Sequence, residues 1–183
     1  MLVTRFRPSP LPMPNLTLRE LIYGQGAHVS PVACLEDVSA NLANQTVPNY
    51  PHSIWQIVEH MNYWMEYELR RIACVPPAYP EHAIESWPQP APLNAEKWSG
   101  ITQRFYALLD RLARLATSDS ETLSQNVPSD DAKDKDKDKA ARPVTIEDIV
   151  TQISAHNSYH IGQIALLRRQ LNAWPPKAGG DTW

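Results

Sequence analysis

Residues 145–171 read TIEDIVTQISAHNSYHIGQIALLRRQL and combine a helix-start signal with a long helical repeat. Thr145 followed by Asp148 forms a capping box, the pattern that satisfies free backbone N–H groups at a helix start. The positions that follow repeat every three or four residues, which predicts a helix to about Leu171 or Asn172. The predicted inward face comprises Ile146, Ile149, Ile153, His156, His160, Gln163, Leu167 and Leu171.

Three consecutive positions of that inward face carry polar side chains, namely His156, His160 and Gln163. Burying such side chains is costly unless each has a partner. Residues four apart on a helix differ in direction by only about 40°, so both imidazoles are predicted to point into the protein one turn apart. A His-x-x-x-His pair of this kind is a frequent source of two nitrogen ligands for a metal ion.

A second helix is predicted to supply a third inward histidine. Ser53 and Gln56 form another capping box, and the helix runs to about Cys74 before two prolines stop it. The apolar stripe of this helix comprises Ile54, Val58, Met61 and Met65. His60 flanks that stripe and is predicted to point inward. Alone, His60 would be interpreted as a core histidine. Together with the histidine pair on the last helix, it predicts a site for one divalent metal ion.

Two further helices complete an all-α four-helix bundle. The first is predicted from Ser30 to about Asn44, after a short helical stretch over Thr17–Tyr23. Another begins near Asn94. Its apolar residues step by three and four: Trp98, Ile101, Phe105, Leu108, Leu112 and Leu115. No segment has a convincing strand pattern, which favours helix-on-helix packing.

The predicted domain organisation is one bundle over residues 17–174 with extensions at both ends. Residues 1–16 are a proline-rich arm, and residues 175–183 are a tail. Residues 119–142 form a charged loop insertion. Within it, Lys and Asp alternate from Lys133 to Lys139, which is typical of a solvated loop without a partner.

Composition excludes several classes of protein. The formal net charge of -3 and the scattered basic residues argue against a nucleic-acid partner. No apolar run is long enough for a membrane span, and no leader with an apolar core is present, so a cytoplasmic location is predicted. The two cysteines, Cys34 and Cys74, lack the CxxC spacing of a thiolate zinc site and are too few for a disulfide scaffold.

Two segments resemble those of the DinB/YfiT-like superfamily, which implies a metal-dependent protein. They are HSIW…EHM within residues 52–61 and HNSYHIGQI at residues 156–164, followed by LLRR at residues 166–169. The resemblance extends over residues 17–174. It implies an up-down-down-up bundle, often a homodimer, in which the ligands are His60, His156 and His160. The implied ion is nickel or zinc, with iron as the alternative.

Three nitrogen ligands leave an open coordination position, which is typical of a catalytic site. Two reactions on a small-molecule substrate remain open. In the first, a metal-bound thiolate from a low-molecular-weight thiol acts as nucleophile, as in the thiol-dependent S-transferases and isomerases of the resembled superfamily. In the second, a metal-bound water performs hydrolysis, which usually requires a carboxylate base. Neither Glu59 nor Glu66 is on the face of His60, so the first reaction is favoured.

Four further residues are candidates for substrate binding: Gln163, Tyr159, Trp64 and His28. No catalytic residue is assigned. A third hypothesis is a non-enzymatic stress protein in which metal binding only stabilises the fold or signals. A catalytic site would have a solvent-connected pocket beside the ion, whereas a structural site would be closed.

Overall fold

The structure is a computed structural model that describes residues 17–75, 77–128 and 143–179. Its helices are α1 (Leu18–Ile22), α2 (Pro31–Leu35), α3 (Ala40–Asn44), α4 (Ile54–Ile72), α5 (Ala95–Leu115), α6 (Ser120–Leu123) and α7 (Ile146–Gln170). A 3₁₀ turn, Ala83–Ser86, lies between α4 and α5. Among the described residues no strand occurs, and the isolated bridge between Asn126 and Thr145 is the one β-type pairing. The predicted all-α class is therefore confirmed.

The three long helices α4, α5 and α7 begin at residues that cap them. The Ser53 backbone N–H donates to Gln56 Oε1 over 3.0 Å at the start of α4. At the start of α7, the Thr145 N–H donates to Asp148 Oδ2 over 2.9 Å, and the reciprocal bond is 3.2 Å. The Asn94 side chain caps α5 in the same way. Each cap satisfies backbone donors that the first turn leaves free, so these predicted starts are confirmed.

Contacts between the long helices give their relative directions. Near the starts of the two helices, Lys97 of α5 lies 4.9 Å from the ring centroid of Trp55 of α4. Further along both helices, Glu66 of α4 pairs with Arg104 of α5. Successive residues of α4 therefore meet successive residues of α5, so the two helices run parallel. This arrangement requires the long connection of residues 73–94, which returns along the bundle.

The predicted continuous first helix over Ser30–Asn44 is wrong, because it is divided into α2 and α3. The Ser39 side chain accepts from the Leu42 N–H over 3.2 Å and starts α3 anew. The Val38 carbonyl accepts a hydrogen bond from the Trp98 indole of α5 instead of serving a helix. One side of the bundle is thus built from short helices rather than from one long helix.

The hydrophobic core lies between the long helices and the short helices α1 to α3. On α7 its buried apolar members are Ile146, Ile149, Val150, Ile153, Ile161, Ile164 and Leu167. His156 and Gln163 are only half-buried. The core face of α7 is therefore rotated slightly from the predicted one, so that His156 lies at its edge while His160 is buried. His156 thus borders both the interior and a cavity at the surface.

The remaining segments are partly described. Residues 119–142, predicted as a loop, contain the short helix α6, while the Lys133–Lys139 run and the arm of residues 1–16 lie outside the described residues. In the tail, the Lys177 N–H donates to Asp37 Oδ2 over 3.0 Å.

None of the helices in the described ranges combines the length and the apolar character that crossing a membrane requires.

Candidate metal centre

His60 lies in the first half of α4 and is 6% exposed. Its ring is held on two sides. Nδ1 lies 3.1 Å from the Ser86 carbonyl oxygen, at the end of the 3₁₀ turn. The indole of Trp87 stacks on the ring at a centroid distance of 3.8 Å and an interplanar angle of 6°. These contacts leave Nε2 pointing toward α7.

His156 and His160 approach His60 from α7. His156 Nε2 lies 3.3 Å from His60 Nε2 and 3.2 Å from His160 Nε2. The ligand atoms of all three residues lie within 4.8 Å of one another, and within the described ranges no other group of three histidine, cysteine or acidic side chains does so. The predicted ligands are therefore brought together by the fold.

Hydrogen bonds at Nδ1 determine which nitrogen of each ring is available. Besides the Ser86 carbonyl at His60, the Gln163 amide oxygen lies 2.7 Å from His160 Nδ1, and the Asn157 amide oxygen lies 3.4 Å from His156 Nδ1. Because these oxygens accept hydrogen bonds, each Nδ1 carries the proton of a neutral ring. Each Nε2 is then left with a lone pair.

Three lone pairs at such short separations repel one another unless a cation or a proton lies among them. A divalent ion would satisfy all three Nε2 atoms at once, and Nδ1 bonded to an oxygen acceptor is the usual outer arrangement of a histidine ligand. The donor set and its hydrogen bonds therefore fit a metal ion such as zinc or nickel.

Burial also keeps these rings uncharged. Desolvation lowers the pKa of His60 from 6.5 to about 4, with further lowering from the neighbouring histidines. Burial lowers the pKa of His160 from 6.5 to about 4 as well, and it lowers that of His156. Metal binding requires the neutral ring, so the ligands are ready for an ion at neutral pH without losing a proton first.

The metal-free protein is expected to lose stability as the pH falls from 6.5 toward about 4. In the unfolded chain the histidine pKa is near 6.5, whereas in the folded chain the pKa of His60 and His160 is about 4. Between these values the unfolded chain binds more protons, so acid favours unfolding, by up to about 1.4 kcal/mol per pH unit for each of the two rings. Urea titrations with a chelator at about pH 7.5 and pH 5 measure the effect.

A variant without titrating rings at two of these positions is the control for that experiment. His156→Gln/His160→Gln removes two of the three groups but keeps hydrogen-bonding side chains of similar length. Its stability is expected to change less between the two pH values than that of the unaltered protein. Equal pH dependence of both proteins would contradict the account.

The predicted substrate-binding residues have different surroundings. Gln163 bonds His160 and therefore holds one ring of the three-histidine group in place. Trp64 has an edge contact with His60, with ring centroids 6.4 Å apart, and it lines a cavity. Tyr159 is 65% exposed, and its ring lies 5.1 Å from that of His160.

His28 lies outside the three-histidine group. Its Nε2 is 2.8 Å from Ser158 Oγ and its Nδ1 is 2.8 Å from the Val29 carbonyl oxygen. Gly24, at a φ of +67°, packs against the imidazole so closely that a Cβ there would lie 2.3 Å from it. Through these contacts, His28 connects α7 to the segment that follows α1.

A cavity of about 270 Å³ reaches the centre from the surface. It is lined by Trp64, Glu68, Tyr79, Gln152, Ile153 and His156. Because His156 belongs both to the ligand group and to the cavity wall, a small molecule in this cavity would lie next to a bound ion. The cavity thus provides the solvent connection that a catalytic site needs.

The sequence did not single out Glu68, Tyr79 or Gln152 as residues of the cavity, and Glu68 is the acidic one among them. It is 1% exposed and forms an ion pair with Arg71 at 3.2 Å. The signal was present, because positions 60, 64 and 68 share one helix face at four-residue spacing. The acidic residues that were considered, Glu59 and Glu66, instead pair with Arg104 of α5.

The fold and the site define an all-α protein with a three-histidine centre of the kind that holds a divalent ion beside an open cavity. The model of the DinB superfamily matches residues 32–164, and the chain belongs to that family. The matched region includes all three histidines and Trp87. Neither the curated proteins nor the solved structures gave a match.

Proposed function

We propose that the chain is a metal-dependent enzyme of the thiol-dependent S-transferase or isomerase type. The observation that carries the proposal is that His156 belongs to both the ligand group and the cavity wall. His60, His156 and His160 would hold the ion. When bound, a divalent ion acidifies a coordinated thiol, which supplies a strong nucleophile at neutral pH.

Other residues of the chain would orient the three histidine rings or form the wall of the substrate cavity. Ser86, Asn157 and Gln163 hold the protons of the three rings at Nδ1 and so keep Nε2 available. Trp64 and Tyr79, whose ring centroids are 5.8 Å apart, form an aromatic wall suited to the apolar part of a small substrate.

The surroundings of Glu68 support a thiol nucleophile over a water nucleophile. Hydrolysis usually needs a carboxylate that can accept a proton. Glu68 is the acidic residue of the cavity wall, and its charge is already balanced by Arg71, with both side chains at most 6% exposed. A thiol cosubstrate brings its own nucleophile, so it requires no such base from the protein.

Thiol binding can be tested without knowing the substrate. Protein loaded with Co²⁺ is expected to develop a near-ultraviolet sulfur-to-cobalt absorption band when glutathione or cysteine is added at millimolar concentration. The band arises only if sulfur enters the coordination sphere. The His156→Ala/His160→Ala variant is the control and should give no band. Absence of the band with cobalt-loaded unaltered protein would contradict a thiol-dependent function.

The second candidate function is hydrolysis, and the position of Glu68 in the cavity is the observation that favours it. Glu68→Gln separates the two functions, with Glu66→Gln as the matched control, since Glu66 pairs with Arg104 on another face. A base is worth about 100-fold or more in rate, so a hydrolase would lose that much on Glu68→Gln. A thiol-dependent enzyme would keep most of its rate in both variants.

The third hypothesis, a non-enzymatic stress protein, predicts a closed centre. The cavity beside His156 supports a catalytic centre instead. We also propose, on the family resemblance, that the protein acts as a homodimer on a small-molecule substrate. Sedimentation velocity with and without Zn²⁺ measures the oligomeric state, and a monomer at all concentrations would overturn that part of the proposal.

A further inference from the structure

The loop that follows the 3₁₀ turn is attached to α4 at two points. The Ser86 carbonyl accepts from His60, and the Pro88 carbonyl accepts from Gln56 Nε2 over 2.9 Å. Gln56 and His60 lie one turn apart on α4. The two hydrogen bonds therefore flank Trp87 and fix its backbone against the helix that carries a metal ligand.

The indole of Trp87 is enclosed between two histidine rings. One face stacks on His60, as described above, and the other stacks on His52 at a centroid distance of 3.7 Å and an angle of 7°. Its edge contacts the His160 ring at 5.8 Å. Trp87 thus contacts two of the three ligand residues, and it does not line the cavity that reaches His156.

Stacking restrains the rotation of the His60 ring in addition to the hydrogen bond from Nδ1 to the Ser86 carbonyl. A histidine ring rotates over a broad range about its last side-chain torsion. A flat indole held parallel to the imidazole at van der Waals distance blocks that rotation on one face. With the indole held from behind by His52, the ring plane of His60 is fixed with Nε2 toward His156.

We propose that Trp87 is a positioning residue of the metal centre, which orients His60 for the ion and covers that ligand so that access is from the cavity side. The inference rests on the metal site of the proposed function. Groups that orient a metal ligand without touching the ion contribute about 10–100-fold to affinity. Trp87→Leu, which removes the flat ring, is therefore expected to raise the Kd for Zn²⁺ by about that factor.

The test is a Zn²⁺ titration of the full chain in competition with a chromophoric chelator. Trp87→Phe keeps a ring and is expected to restore most of the affinity, with a Kd within about tenfold of the unaltered protein. Trp98→Leu is the matched control, because Trp98 is a buried tryptophan that bonds Val38 away from the centre. It should lower the urea midpoint without changing the Kd.

A merely structural role for Trp87 would give a different pattern. Trp87→Leu would then lower the urea midpoint as Trp98→Leu does, and the Kd would equal that of the unaltered protein, which would overturn the inference. Should Trp87→Leu not fold, Trp87→Met, which also removes the flat ring but keeps more of the apolar volume, is measured in its place: a Kd equal to that of the unaltered protein overturns the inference, and a Kd raised by about 10–100-fold supports it. An unaltered protein that binds no Zn²⁺ would overturn the proposed function itself.

Discussion

His156→Ala/His160→Ala is expected to lower the affinity for Zn²⁺ by about 100-fold or more, because it removes two of three converging nitrogen ligands. In the unaltered protein, Zn²⁺ at about 100 times its Kd should add about 2.7 kcal/mol to the free energy of unfolding. The variant should show no such gain. Urea titrations of both proteins with Zn²⁺ and with a chelator measure the difference.

A control is needed for a general effect of losing a histidine. His82 is exposed at the start of the 3₁₀ turn and lies outside the ligand group. His82→Ala should retain the full stabilisation by Zn²⁺. If the double variant were stabilised by Zn²⁺ as strongly as His82→Ala, the ion would be bound elsewhere and the assigned centre would be wrong.

Arg168→Met is expected to lower the free energy of unfolding by about 3–5 kcal/mol, the cost of breaking a buried charge pair. Arg168 is 2% exposed and lies 2.8 Å from Asp37 Oδ1. Its guanidinium also donates to the Cys34 carbonyl over 2.6 Å and to the Ala173 carbonyl over 2.9 Å. One side chain thus joins α2, α7 and the residues directly after α7, so its loss leaves a carboxylate and two carbonyls without their cation.

The neighbouring arginine provides the comparison. Arg169 is exposed, and its guanidinium lies 4.7 Å from the ring centroid of Trp174. Arg169→Met should cost less than about 1 kcal/mol, since exposed cation–π contacts are weak. Urea unfolding of both variants with a chelator present gives the two values. Similar losses in both would show that the ion pair with Asp37 is not the main stabilising contact.

The long helices and the meeting of the three histidines were predictable because local signals and the core pattern agree there. Capping boxes mark the starts of α4 and α7, and apolar positions at three–four spacing continue from them. Polar side chains within such a repeat are costly to bury without a partner, so the sequence pattern alone singles out His156 and His160. The three histidines did meet in the fold.

The break between α2 and α3 was not predictable from the same signals. Leu35, Val38 and Leu42 have helical spacing, but the backbone at Val38 turns out of the helix to accept the indole of Trp98, which lies 60 residues away. The role of Trp87 was equally inaccessible, because periodicity does not say where a proline-rich loop packs. Long-range contacts of this kind override local propensity.

The most direct test of the metal centre is the metal content of the protein purified without a histidine tag. The protein would be stripped with a chelator, reloaded with excess Zn²⁺ or Ni²⁺, freed of unbound ions and analysed for metal by elemental analysis beside His156→Ala/His160→Ala. The account predicts about one ion per chain in the unaltered protein and essentially none in the variant, with helicity retained in both. No bound ion in the unaltered protein after reloading with either metal would contradict it.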